Sequence, residues 1–124
     1  MKKFIINKSK WLRQARNPQG EPTKSVLLDK DGNSCCLGQC ALQLGVQPET
    51  LLNVPNPFWA CKDSPDERAK LMGLFLNSFD CYHWVYDCMD CNDATGSDFF
   101  TEEWVIEGLV GIMADHGIEL EFID

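Results

Sequence analysis

Cys88-Met89-Asp90-Cys91 sets two thiols at the C-x-x-C spacing used by zinc sites and dithiol redox centres. Cys36-Leu37-Gly38-Gln39-Cys40 offers a second pair, and four thiolates around one zinc ion form a complete tetrahedral shell. The second pair, however, has the i, i+4 spacing of a buried helix face, where a free thiol packs as a small apolar group. The first expectation is therefore packed or surface thiols with no metal or other cofactor. A zinc-stabilised structural or regulatory module, with Cys36, Cys40, Cys88 and Cys91 as ligands, is the alternative.

Other chemistry finds less support. A calcium loop needs oxygen ligands at positions 1, 3 and 5, glycine at 6 and glutamate at 12. Counting from Asp29 puts Cys40 at position 12, and counting from Asp93 puts Trp104 there, so neither register works. His83 and His116 are the two histidines, and a cysteine-dependent enzyme would draw one of them to Cys35, Cys81 or Cys88. No nucleophile elbow, glycine-rich phosphate loop or histidine-glutamate zinc motif occurs. The expectation is a protein without catalytic activity, with the cysteine enzyme as a further alternative.

Charge is the more informative feature. The 124 residues carry a net charge of −8, unevenly spread. Residues 1–30 hold eight basic side chains against two acidic ones, whereas residues 71–124 hold twelve acids and neither Lys nor Arg. Asp87, Asp90, Asp93, Asp98, Glu102, Glu103 and Glu107 crowd into one stretch. Surfaces ordinarily intersperse signs because like charges repel; an unmixed field suits the steering of a positively charged partner. These seven carboxylates, with Trp104, are the candidate partner-binding residues. Trp84, Tyr86 and Phe99 lie among them as further anchors or as core. Direct nucleic-acid binding is not expected: Lys8, Lys10, Arg13 and Arg16 around Trp11 suit phosphates, but the rest of the chain repels them.

Length and composition frame these residues. A chain of this size fits one domain, and 44% hydrophobic with 24% charged residues matches a folded protein. No apolar run reaches membrane-spanning length, no secretory signal is recognisable, and an odd seven cysteines argues against a disulfide scaffold. A cytoplasmic location with reduced thiols is expected, away from membranes.

The elements that must position the acids follow from periodicity and punctuation. Phe4-Ile5-Ile6 reads as a strand, Ser9–Arg13 as a helical turn capped by Ser9, and Asn17–Pro22 as a loop. Ser25–Leu28 reads as a strand entering an Asp-Gly hairpin turn at Asp29–Asn33. Cys36, Leu37, Cys40, Ala41 and Leu44 recur at helical spacing before Gly45. Pro48–Leu52 suits a further turn, and Ser64-Pro65-Asp66-Glu67 is a capping box opening another helix. Cys81–Asp90 is read as a helix. Thr101 caps a helix running to His116-Gly117, with Phe100 placed to staple onto Val105. Ile118–Phe122 alternates strictly and is assigned to the same sheet as Phe4–Ile6. The expected class is α+β: a small antiparallel sheet packed by three or four helices.

Three stretches resemble small proteins encoded by bacteriophages and prophages. They are Lys10-Trp11-Leu12-Arg13, Cys35-Cys36-Leu37-Gly38, and Asn92-Asp93 followed by an acidic helix ending in His116-Gly117-Ile118-Glu119-Leu120-Glu121-Phe122. The Cys88/Cys91 pair and the Asn56–Cys61 segment depart from that group. The resemblance implies an origin and carries over no catalytic residue. Acidic phage proteins of this size are frequently inhibitors of host machinery, including anti-CRISPR proteins that occupy the basic nucleic-acid channels of effector complexes. The resemblance and the charge distribution together imply an inhibitor that binds a basic host protein or ribonucleoprotein of a defence system in the bacterial cytoplasm.

Overall fold

The computed structural model describes residues 2–55, 57, 65–66, 70, 81–95 and 99–124, with backbone only at residues 2 and 81–83. Its elements are strand β1 (Lys2–Asn7), a 3-10 turn (Lys8–Lys10), helices α1 (Cys36–Gln43), α2 (Pro48–Leu51), α3 (Cys81–Asn92) and α4 (Glu102–Asp115), and strand β2 (Ile118–Ile123). Pro65, Asp66 and Lys70 are also helical; the rest of the helix expected from Ser64 lies outside the described residues.

β1 and β2 do share a sheet, but they pair in parallel, with Lys2 opposite Ile118 and Asn7 opposite Ile123. The expected antiparallel sheet is thereby corrected. Parallel strands need a crossover connection, and everything between Asn7 and Ile118 supplies it. The pleat sends Phe4, Ile6, Ile118 and Leu120 into the core and leaves Lys3, Ile5, Glu119 and Glu121 outside. On that outer face Lys3 Nζ meets Glu119 at 3.6 Å and Glu121 at 3.0 Å.

The free edge of β1 is closed by side chains. Gln43 Oε1 accepts from Ile5 N at 2.9 Å while its Nε2 donates to Ile5 O at 2.8 Å. Gln39 does the same for Asn7, at 2.7 and 3.1 Å. Residues i, i+4 on a helix rise about 6 Å and residues i, i+2 on a strand about 6.6 Å, so two amides one helical turn apart match alternate residues of β1. An edge that would otherwise expose unpaired backbone is thus capped from within the chain.

α1 ends as its sequence demands. Gly45 takes φ +89°, Val46 N donates to Ala41 O at 3.2 Å and Gly45 N to Leu42 O at 3.0 Å, the paired bonds of a Schellman termination. Gly38, mid-helix, lies directly on the backbone of Leu27, closer than any side chain would permit. Residues 25–28 consequently do not form the expected strand: their backbone is used singly, with Leu27 N donating to Val54 O at 2.8 Å and Cys35 N donating to Val26 O at 3.1 Å. The Asp29–Asn33 turn exists, with Asp29 Oδ1 accepting from Asp31 N and Asn33 N and Gly32 at φ +83°. It leads into α1 and closes no hairpin. Residues 9–13 likewise differ from expectation, because Asn7 rather than Ser9 caps the 3-10 turn and Trp11 leaves it extended, beside Ser34.

α3 and α4 pack antiparallel: Cys91 Sγ lies 3.6 Å from Val105 O at one end, and Trp84 stacks on His116 at 4.6 Å at the other. Thr101 Oγ1 accepts from Trp104 N at 3.1 Å, as its capping role requires. Phe100 lies against the Trp104 ring, with centroids 4.7 Å apart. Val85, Cys88, Val105, Leu109 and Met113 join Phe4, Ile6, Leu27, Leu37 and Cys40 in one buried cluster.

Candidate functional site

The acids resolve into distinct environments. Asp87 and Asp90, one turn apart on α3, are exposed, as are Glu103 and Glu107, one turn apart on α4. The buried stripes of both helices face the core, so these four carboxylates occupy the outward sides of two adjacent helices. Among the described residues none of the four is ion-paired. Asp93 is half-buried and accepts from Asn92 Nδ2 at 2.9 Å, which ties it to the interior. Glu102 is within 3.5 Å of Lys8 Nζ and faces the basic N-terminal segment. Asp98 lies outside the described residues. Of the seven carboxylates expected to act together, four are therefore exposed on the outward sides of α3 and α4, and Asp93 and Glu102 are engaged elsewhere.

Three aromatic side chains accompany that face. Tyr86 and Trp104 are 42% and 41% exposed and Phe99 is 82% exposed, whereas Trp84 is buried against His116.

Beneath this face lies a polar centre that spacing alone does not announce. Asn92, 3% exposed at the end of α3, accepts from Trp11 Nε1 at 2.8 Å and from Cys36 N at 3.3 Å through Oδ1, while Nδ2 donates to Leu12 O at 2.9 Å. One amide thus fastens the acidic helical hairpin to the N-terminal segment and to the start of α1. Gln14 adds to the joint, its backbone N donating to Asn92 O at 2.9 Å and its side chain to Ala94 O and Phe100 O. Neither residue carries a local signal for this role: Gln14 lies between Arg13 and Ala15, and Asn92 between Cys91 and Asp93.

Five of the seven cysteines converge between α1 and α3; Cys61 and the Cys81 side chain lie outside the described residues. Cys35, Cys36, Cys40, Cys88 and Cys91 are free and buried. Burial pushes Cys35 up to about 12 and Cys91 up to about 11, and raises Cys88 further. A hydrogen bond to Cys40, then burial, raises Cys36. No group of three or more Cys, His, Asp or Glu among the described residues is arranged to hold a metal ion. An activated cysteine nucleophile has a lowered thiol pKa, and burial moves Cys35, Cys88 and Cys91 in the opposite direction.

Alkylation measures this directly. At pH 8 a thiol shifted from 9.0 to about 12 has a thiolate fraction about a thousandfold smaller than in the unfolded chain. Cys35 is therefore expected to resist iodoacetamide in the native protein and to react on addition of urea, as followed by mass spectrometry. The same shift sets a pH dependence. The folded state keeps a proton that the unfolded state releases, so this contribution is fully present below pH 9 and is lost as pH rises toward 12. The loss is about 1.4 kcal/mol per pH unit for Cys35 alone. A urea midpoint that falls between pH 8 and 10 checks it.

No helix among the described residues is long and apolar enough to cross a membrane. Comparison with protein-family models, with curated proteins and with solved structures finds no match.

Proposed function

We propose that this protein is a phage-derived, non-catalytic inhibitor that binds a basic nucleic-acid-binding protein of a bacterial defence system, of the CRISPR effector kind. It would do so by presenting the outer face of the α3–α4 hairpin to the channel that otherwise holds phosphates. The observation that carries the reading is the set Asp87, Asp90, Glu103 and Glu107, exposed on two adjacent helices and without ion pairs among the described residues, beside exposed Tyr86, Phe99 and Trp104. Isolated exposed carboxylates contribute little to stability, so four of them without ion pairs among the described residues suit association with a basic partner better than a role in folding. Neutralising a partner's lysines and arginines in a desolvated channel strengthens each pair and raises the association rate at low salt.

The test reverses the four charges together, as Asp87→Lys, Asp90→Lys, Glu103→Lys and Glu107→Lys. All four positions are exposed, so circular dichroism and melting temperature should stay close to those of the parent. Capture of the partner from bacteria carrying the defence system should fall by tenfold or more, and nucleic acid should displace the parent protein. Undiminished capture by the reversed variant would refute the reading.

A further inference from the structure

We infer that the cleft beside the Arg13–Arg16 turn is a binding site for the phosphate group of a small phosphomonoester. The cleft has a volume of about 180 Å³ and is lined by Lys8, Trp11, Arg13, Arg16, Asn17 and Glu102, among others. Its floor is a tight turn in which Arg13 N donates to Arg16 O at 3.1 Å and Arg16 N to Arg13 O at 3.0 Å. Gln14 and Ala15 at its apex have φ of +57° and +56°, left-handed values that asparagine and glycine normally supply in a turn of this kind. Such strain persists where the surrounding structure over-determines it. Here Gln14 is held by Asn92 O, Ala94 O and Phe100 O, so the turn is clamped to the α3–α4 hairpin.

The consequence of that clamp is to hold two arginines as a directly opposed pair, with their side chains on the same side of the turn. Opposed like charges destabilise a hairpin, and neither guanidinium is ion-paired among the described residues. Both are nonetheless preorganised: Arg13 lies over the Trp11 ring at 5.8 Å and Arg16 Nη1 donates to Gly20 O at 2.8 Å. Two fixed guanidiniums converging on one cleft match a phosphate dianion, which accepts from planar forks of this kind. Lys8 on the rim is shared between Glu102 and Asp124, each at 3.5 Å, and adds little while so engaged.

Size and charge decide the class of ligand. About six water volumes exceed what a bare phosphate fills and leave room for a small organic group. A polynucleotide would extend beyond the cleft into the field of a chain of net charge −8, whereas a single phosphate meets chiefly the charges that line the cleft, since screening confines exposed interactions to roughly 10 Å. The Trp11 ring is 3% exposed, covered by Arg13 and by Phe122 at 4.9 Å, so no face is open for a base to stack.

Heteronuclear NMR titration of the full chain with inorganic phosphate, ribose 5-phosphate and ribose, at matched ionic strength, tests this inference. Saturable shifts at residues 13–17 and at the arginine side-chain resonances are expected for the two phosphates and not for ribose. The dissociation constant of ribose 5-phosphate should be on the order of 1 mM or tighter, a modest affinity of about −4 kcal/mol. Arg16→Gln, an exposed position, should weaken it tenfold or more, and Arg13→Lys, which keeps the charge and loses the fork, should weaken it too. Glu102→Gln, which removes the rim carboxylate and leaves Asp124 as the remaining acidic partner of Lys8, should tighten it. Shifts that fail to saturate, equal shifts with ribose, an unaltered Arg16→Gln variant, or a short oligonucleotide binding more tightly than ribose 5-phosphate would each overturn the site. None of these outcomes bears on the α3–α4 face.

Discussion

Gly38→Ala is expected to destabilise the protein by about 4 kcal/mol or more, a large fraction of the roughly 5–15 kcal/mol that holds an ordinary domain folded. A Cβ at this position would overlap the Leu27 carbonyl oxygen and lie 2.6 Å from its carbon and 2.9 Å from its Cα. These are backbone atoms, and the Leu27 backbone is itself tied to Val54, so no rotamer change relieves the overlap. The intrinsic helix preference of alanine over glycine, about 1 kcal/mol, is far too small to offset it. Gly111→Ala is the matched control. Gly111 is exposed in α4, and a Cβ added there would meet nothing within 4 Å, so the same substitution should stabilise by about 0.5–1 kcal/mol. Urea denaturation of the two variants should show opposite shifts in midpoint; a Gly38→Ala midpoint at or above the parent's would mean that α1 does not rest on the Leu27 backbone.

Asn92→Ala is expected to cost about 3–5 kcal/mol. Removing the amide leaves the Trp11 indole N–H and the Leu12 carbonyl buried without partners, at about 1–3 kcal/mol each, and opens a cavity beside Cys36. Asn92→Asp separates the two halves of the interaction. It retains an acceptor for Trp11 and Cys36, but turns a second oxygen toward the Leu12 carbonyl and the Asp93 carboxylate. Its loss of stability should therefore be smaller at low pH, where the new carboxyl is protonated and can donate, and larger near neutrality. Tryptophan fluorescence-detected unfolding at pH 5 and pH 7 distinguishes this from simple cavity formation, which would be independent of pH.

Elements whose signals are local could be read from the chain. α4 is announced by Thr101 at its start, by two glutamates in its first turn and by Gly117 after its end, and β2 by strict alternation. α1 follows from Cys36, Leu37, Cys40 and Ala41 on one face with Gly45 behind them. What local pattern does not carry is the partner of each element. β1 and β2 sit at opposite ends of the chain, and either relative direction satisfies their alternation, so the parallel sheet is fixed by the crossover rather than by either strand. The strand-like run at 25–28 is consumed by contacts with Cys35 and Val54, and by the approach of Gly38, none visible in its own residues.

The same distinction divides the site. Exposure of Asp87, Asp90, Glu103 and Glu107 follows from helical periodicity once α3 and α4 are placed. The diversion of Asp93 to Asn92 and of Glu102 to Lys8 depends on contacts that sequence proximity to the other acids hides. The hub at Asn92 joins residues 56 to 81 positions apart, and a lone asparagine ending a helix reads locally as a cap. Arg13 and Arg16 are three residues apart, a spacing that a helix would also bring to one side; what the residues themselves do not announce is the left-handed Gln14-Ala15 turn, which sets the two opposite one another as a bridged pair.

The proposal that an acidic hairpin face engages a basic partner is tested most directly by zero-length carbodiimide cross-linking of the captured complex, which joins only carboxylates and lysines in contact. Mass spectrometry should place the cross-links at Asp87, Asp90, Glu103 and Glu107. Cross-links confined to Glu21, Glu49, Glu119 or Glu121, with those four carboxylates unlinked, would contradict the account.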